Sequence, residues 1–159
     1  METNQLYLKT AFCCMACDGD IAKDEVKLIE DITANNELFK DLDVKNILNT
    51  YVDEINLQGQ AFLNQFLDEI VKAELTPIEQ MIIVRIAIQM IEADKKIEYS
   101  EIRFFKKIRK RLSIGDDVIL AEFPDKEDFL LPDIETNNDY NWNNIHFDKI
   151  DLSIHLPQK

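Results

Sequence analysis

The segment TPIEQMIIVRIAIQMIEA, residues 76–93, decides how this chain folds. Thr76 can cap a helix, Pro77 suits the first helical position, and Glu79 completes a capping box. No other helix start in the chain is as well signed. The residues that follow are apolar on nearly every side of a helical wheel. A helix with one apolar stripe sits at a surface, whereas one that is apolar all round is buried. The segment therefore predicts the central helix of an all-α bundle. Glu79, Arg85 and Glu92 interrupt it, and it falls short of the roughly 20 apolar residues that span a bilayer.

Further helices lie on either side. Leu8, Ala11, Phe12 and Met15 recur at helical spacing and place a first helix over about 5–17, broken by Asp18-Gly19-Asp20. Val26, Ile29 and Ile32 share one face of a second, which ends near Asn35-Asn36. A short turn follows through Leu38, Phe39 and Leu42. Val44, Ile47, Leu48, Tyr51, Val52 and Ile55 mark a strongly amphipathic helix. Gly59 separates it from another that turns Phe62, Phe66, Leu67, Ile70 and Val71 inward. Beyond the central segment, Ile102, Phe105, Ile108 and Leu112 carry a last long helix, with Gly115 as its stop.

The chain also matches itself at an offset of 76 residues. Ala11 falls on Ala87, Asp18 on Asp94, Ile21 on Ile97, Glu25 on Glu101 and Ile32 on Ile108. Each copy reads apolar helix, acidic loop, second helix. Such self-similarity marks a duplicated supersecondary unit, here two helix–loop–helix copies that can pack about a pseudo-twofold axis. The expectation is an internally duplicated bundle of about six to seven helices over residues 1–114. Residues 115–159 differ in character: 11 acidic residues against 3 basic ones give a net charge of -8, and no long helical period survives. Phe129, Leu130, Leu131, Trp142 and Phe147 nevertheless argue against a purely disordered tail. Ile150, Leu152, Ile154 and Leu156 alternate with polar residues in a strand pattern. The tail is expected to pack on its own helical core or, in a homodimer, on a second subunit.

The two loops carry a resemblance. Ala16-Cys17-Asp18-Gly19-Asp20-Ile21 with Glu25, and Ala93-Asp94-Lys95-Lys96-Ile97 with Glu101, are similar to the signature loops of the TerB-like (tellurite-resistance) family. The likeness covers roughly residues 5–114. It implies a small helical bundle tied to tellurite or chemical-stress resistance and to membrane-associated stress complexes. Related domains also precede some J-domain co-chaperones. It further implies a divalent cation held by loop carboxylates, with Asp18, Glu25, Asp94 and Glu101 carried over as candidate ligands; by the residues themselves, Asp20 and Glu92 join them if the acids of the two copies converge. Lys95 and Lys96 replace the Gly-acidic pair of the first loop. Hard oxygen ligands select Mg²⁺, Ca²⁺ or Mn²⁺. A calcium EF-hand is excluded, because Cys14 and Ala16 stand where its first ligands belong.

A structural reading competes with the metal site. Asp at a helix junction binds backbone amides, and Glu in a first turn satisfies free N–H groups and the helix dipole. Cys14-x-x-Cys17 has the spacing of a redox or zinc half-site, but no βαβ pattern surrounds it and zinc needs four ligands. Small buried free thiols are the expectation there. The chain's net charge of -13 disfavours nucleic acid as a partner. One basic run departs from that balance: Arg103, Lys106, Lys107, Arg109, Lys110 and Arg111 form a solvated face or a dock for an acidic partner or the chain's own acidic tail. The absence of a leader pattern and of any spanning segment points to the cytoplasm. No catalytic motif is present, so the expected function is non-enzymatic. A stress-response module binding a divalent cation, a protein partner or both comes first. A metal-independent interaction or co-chaperone-type adaptor comes second, and a hydrolase using the acidic cluster a distant third.

Overall fold

A computed structural model describes residues 3–17, 19, 21, 23–34, 36–40, 42–93, 99–130, 146, 147 and 150. Among these residues there are seven α-helices, two short 3-10 turns and no strand. The helices are α1 (Thr3–Ala16), α2 (Lys23–Ala34), α3 (Val44–Gln58), α4 (Gln60–Lys72), α5 (Pro77–Ala93), α6 (Tyr99–Lys110) and α7 (Asp116–Glu122). The 3-10 turns are Glu37–Phe39 and Glu127–Leu130. The expected all-α bundle is present.

The start of α5 forms as its sequence dictates. Glu79 N–H donates to Thr76 Oγ1 at 3.2 Å, and Thr76 N–H donates to Glu79 Oε1 at 2.9 Å. This reciprocal pair satisfies two orphan donors. Beyond it α5 packs against α1, α2 and α6, and it buries Met81, Ile83, Val84, Ile86, Ala87, Ile88, Met90 and Ile91. After Pro77 at its start, only a stripe through Ile78, Arg85, Gln89 and Glu92 is exposed. The helix is therefore central.

The duplication is structural. A shift of 76 residues carries Lys23–Ala34 onto Tyr99–Lys110, which are the bounds of α2 and α6. The same shift places α1 within α5. Burial repeats with it. Ala11 and Ala87, Phe12 and Ile88, Met15 and Ile91, Ile29 and Phe105 are all buried. Both first helices lie at the heart of the molecule and pack on each other.

The helices α3 and α4 form the hairpin between the copies. Gly59 joins them at φ 62 and ψ -137, a conformation essentially confined to glycine. Phe12, Tyr51 and Phe62 meet there with ring centroids 5.6–5.9 Å apart and tie α1, α3 and α4 together. Such tilted and edge-on pairs add to the burial of apolar area. One inward assignment changes. Leu63 joins Phe62, Phe66, Leu67 and Ile70 inside, while Val71, in the last turn of α4, is exposed.

The end of α6 also differs from expectation. The helix stops at Lys110, ahead of Leu112, and Gly115 opens α7 instead of closing α6. A buried glutamine accounts for the earlier stop. Gln80 Oε1 accepts from the backbone N–H groups of Ser113 and Ile114 at 2.8 and 3.0 Å, and its Nε2 donates to Leu75 O at 2.9 Å. The backbone after α6 is thus held by α5 rather than by another helical turn. From there α7 and the second 3-10 turn continue against the bundle, where Phe129 meets Phe105 edge-on. Of the alternating segment beginning at Ile150, only Ile150 is described, and it is buried; the expected strand otherwise lies outside the described residues.

Candidate functional site: the paired acidic residues

Asp18, Asp20 and Asp94 lie outside the described residues, so Glu25 and Glu101 are the two expected ligands that can be placed. Each is the third residue of its helix, Glu25 in α2 and Glu101 in α6. The open N–H groups and positive dipole end of a helix favour a carboxylate there. Both side chains are buried, at 3% and 2% exposure. That is rare for glutamate, because ionised carboxylates are buried only with partners.

The two carboxylates bear on one thiol. Cys14 of α1 is fully buried, and its thiol is pushed well above its ordinary range, first by burial, then by Glu101, then by Glu25. Coulombic influence falls with distance, so both glutamates lie close to this sulfur. The equivalent acids of the two copies therefore both act on the first helix. Held as the neutral thiol, Cys14 is a poor nucleophile and a poor metal ligand. Cys13 is buried and likewise raised. Cys17 donates to Cys14 O at 3.3 Å, and none of the three cysteines is in a disulfide. Gly19 sits at φ 86 and its N–H donates to Ala16 O at 2.9 Å, which turns the chain out of α1 into the first acidic loop.

Glu92 takes no part in this. It lies on the exposed stripe of α5 and pairs with Lys126. Among the described residues no group of three or more His, Cys, Asp or Glu side chains is placed to hold a metal ion. The basic run on α6 is half-buried except for exposed Lys110, and Arg109 Nε donates to Asp116 Oδ1 at 2.7 Å. At that residue the run meets the chain's own acidic segment.

Two further features escape a sequence reading. Lys9 of α1 is buried, its Nζ donating to Glu69 Oε1 of α4 at 2.8 Å and lying 4.6 Å from the Phe62 ring centre. It floors a cleft of about 290 Å³ between α1, α3 and α4, lined also by Gln5, Thr50, Tyr51, Glu54 and Gln65. Its only sequence signal is a lone charge in a helix that is otherwise uncharged. The second feature is a pair of asparagines on α3. Asn56 Nδ2 donates to Phe147 O at 2.9 Å, and its Oδ1 accepts from Phe147 N–H at 2.7 Å. Asn49 does the same to Ile150, at 3.1 and 2.7 Å. Phe147 and Ile150 are buried in the core. The available signal was two asparagines seven residues apart on an amphipathic helix.

None of the described helices is long and apolar enough to cross a membrane. Compared with known proteins, this chain matches no family model, no curated protein and no solved structure.

Proposed function

We propose that this chain is a non-enzymatic, TerB-like module of the cytosolic stress response, binding a divalent cation, a protein partner or both through its paired acidic loops. One observation carries the reading. Glu25 and Glu101, at matching positions in two copies, are both buried beside Cys14. Carboxylates are hard ligands suited to Mg²⁺, Ca²⁺ or Mn²⁺, and the neutral Cys14 thiol on which they act offers little to Zn²⁺. The donor chemistry thus fits a hard cation, with Glu25 and Glu101 joined by the loop residues Asp18, Asp20 and Asp94. A cation that binds only the folded state would stabilise the fold.

Thermal unfolding in EDTA, then with Mg²⁺, Ca²⁺, Mn²⁺ or Zn²⁺ added singly, tests this. A cation that binds only the folded state adds about 2.7 kcal/mol at a hundredfold excess over its dissociation constant. For a chain of this size that raises Tm by roughly 5–10 °C. The expected result is a rise with one hard cation that disappears in the Asp18→Asn, Asp94→Asn double variant. No rise with any cation would leave these carboxylates as helix caps. The protein-partner reading would then stand alone.

A further inference from the structure

Lys9 carries the one charge of α1, and its side chain is buried at the floor of the cleft between α1, α3 and α4. An ammonium group has three donors. Lys9 Nζ uses one in a hydrogen bond, to Glu69 Oε1 at 2.8 Å, and otherwise faces the rings of Phe62 and Tyr51 at 4.6 and 5.6 Å. Stability alone does not call for this pair, because apolar residues of similar volume hold such a seam as well or better. On the α3 side of the cleft, Glu54 is half-buried and makes no hydrogen bond or ion pair among the described residues. The Tyr51 phenol, whose O–H donates to Gln5 O at 3.3 Å, is raised first by burial, then by Cys13, Glu69 and Glu54. Both carboxylates therefore lie near one hydroxyl. The cleft has two unmet needs: donors on Lys9 without an acceptor, and a carboxylate on Glu54 without a donor. Charge decides what meets them. Lys9, Glu54 and Glu69 leave one net negative charge, so a plain anion is repelled by two carboxylates, and a plain cation meets the Lys9 ammonium. A zwitterion brings each charge to its opposite. At about 290 Å³ the cleft falls just below the roughly 300–1,000 Å³ of drug-sized ligand pockets, which suits one amino acid and not a peptide.

We propose that this cleft binds a free amino acid, its carboxylate accepting from Lys9 Nζ and its ammonium donating to Glu54. Glu69 positions Lys9 and offers its second oxygen to the same ammonium. The amides of Gln5 and Gln65, which line the cleft, are left for the ligand's side chain. The site is built on α1, α3 and α4 and uses none of the acidic-loop residues, so it stands or falls apart from the cation reading.

The test is thermal unfolding of the full-length chain in EDTA, with each standard amino acid added singly. At a hundredfold excess over its dissociation constant, one that binds only the folded state should raise Tm by roughly 5–10 °C. The amidated and the N-acetylated forms of that amino acid each keep one charge of the two, and each should bind at least about tenfold more weakly. Isothermal titration calorimetry then compares variants. Glu54→Gln alters a half-buried side chain without a partner among the described residues. It should leave the unliganded Tm unchanged and weaken binding at least about tenfold. Lys9→Met with Glu69→Met, apolar at both positions, should remove binding. No rise with any amino acid overturns the proposal. Equal binding of either single-charge form also overturns it, because the ligand would then be a plain cation or anion. Binding that survives Glu54→Gln does the same. Should the apolar pair not fold, Glu54→Gln and the two single-charge forms still decide.

Discussion

Two backbone positions show what a single residue decides in this molecule. Gly59 must hold φ 62 with ψ -137 to reverse the chain between α3 and α4, and its N–H donates to Ile55 O at 2.7 Å. A side chain at that conformation is strained, at a cost of about 1–3 kcal/mol. Glu74, just past α4, holds φ 52 without being glycine. Helices commonly end on a left-handed residue, and glycine is the one that takes it without strain. The expected outcomes are opposite in sign. Gly59→Ala should lower stability by at least 1 kcal/mol in urea unfolding, whereas Glu74→Gly should raise it by up to about 1 kcal/mol. A neutral Gly59→Ala would mean that the hairpin tolerates a different turn.

Helix pairs are held by contacts of unequal kind. The α1–α4 seam contains the Lys9–Glu69 ion pair, with side-chain exposures of 4% and 23%. Its energetic asymmetry is the useful property. Removing one member strands a buried charge and costs about 3–5 kcal/mol, whereas replacing both with apolar residues is close to neutral. Glu69→Ala should therefore be strongly destabilising, and Lys9→Met added to it should recover most of the loss. A double variant as unstable as Glu69→Ala alone would place the cost in packing rather than in charge. Arg85, the counterpart of Lys9 in the second copy, instead pairs with Glu122 on the surface. There Arg85 holds the Glu122 carboxyl below its usual range, chiefly through its hydrogen bond. Salt screening and exposure limit such a pair to under about 1 kcal/mol.

Across the whole molecule, the buried acids of α1 and α3 set an alkaline limit. Cys13 and Cys14 are raised above their ordinary 9.0 and Tyr51 above 10.0, all mainly by burial. A raised folded value means that the native state keeps its proton after the unfolded chain has lost it. The contribution is then complete below pH 9 and declines above it, by about 1.4 kcal/mol per group for each pH unit. Stability should fall by about 3 kcal/mol between pH 8 and pH 10 from the two thiols together. Urea midpoints across that range check this, and Cys14→Ala should shallow the slope. A flat profile would contradict the burial of these groups.

The same scale shows what the sequence made legible. Helix positions and the 76-residue duplication could be read because both are local periodicities, and the capping box at Thr76 and Glu79 is a four-residue signal. The shared action of Glu25 and Glu101 was legible only through the duplication, which marked them as equivalent without saying how near they come to Cys14. The stop of α6 was misread because Gln80, more than thirty residues earlier, captures the backbone there. Lys9 and the asparagine pair were missed for a related reason. Their meaning depends on Glu69, Phe147 and Ile150, which are distant in the chain, and nothing in their own neighbourhoods announces it.

The three cysteines give this bundle a chemical clock. Cys13 and Cys14 lie on the one helix that touches α3, α4, α5 and α6, so a thiol reagent reaches them only when most of the bundle has parted. Cys17, at 8% exposure just past the end of that helix, needs only a frayed terminus. Pulse alkylation would therefore separate two rates in one untagged chain: a fast one reporting local opening beside the first acidic loop, and a slow pair reporting global opening. In a crowded lysate, where spectroscopy fails, any ligand of the folded state would reveal itself by slowing the second.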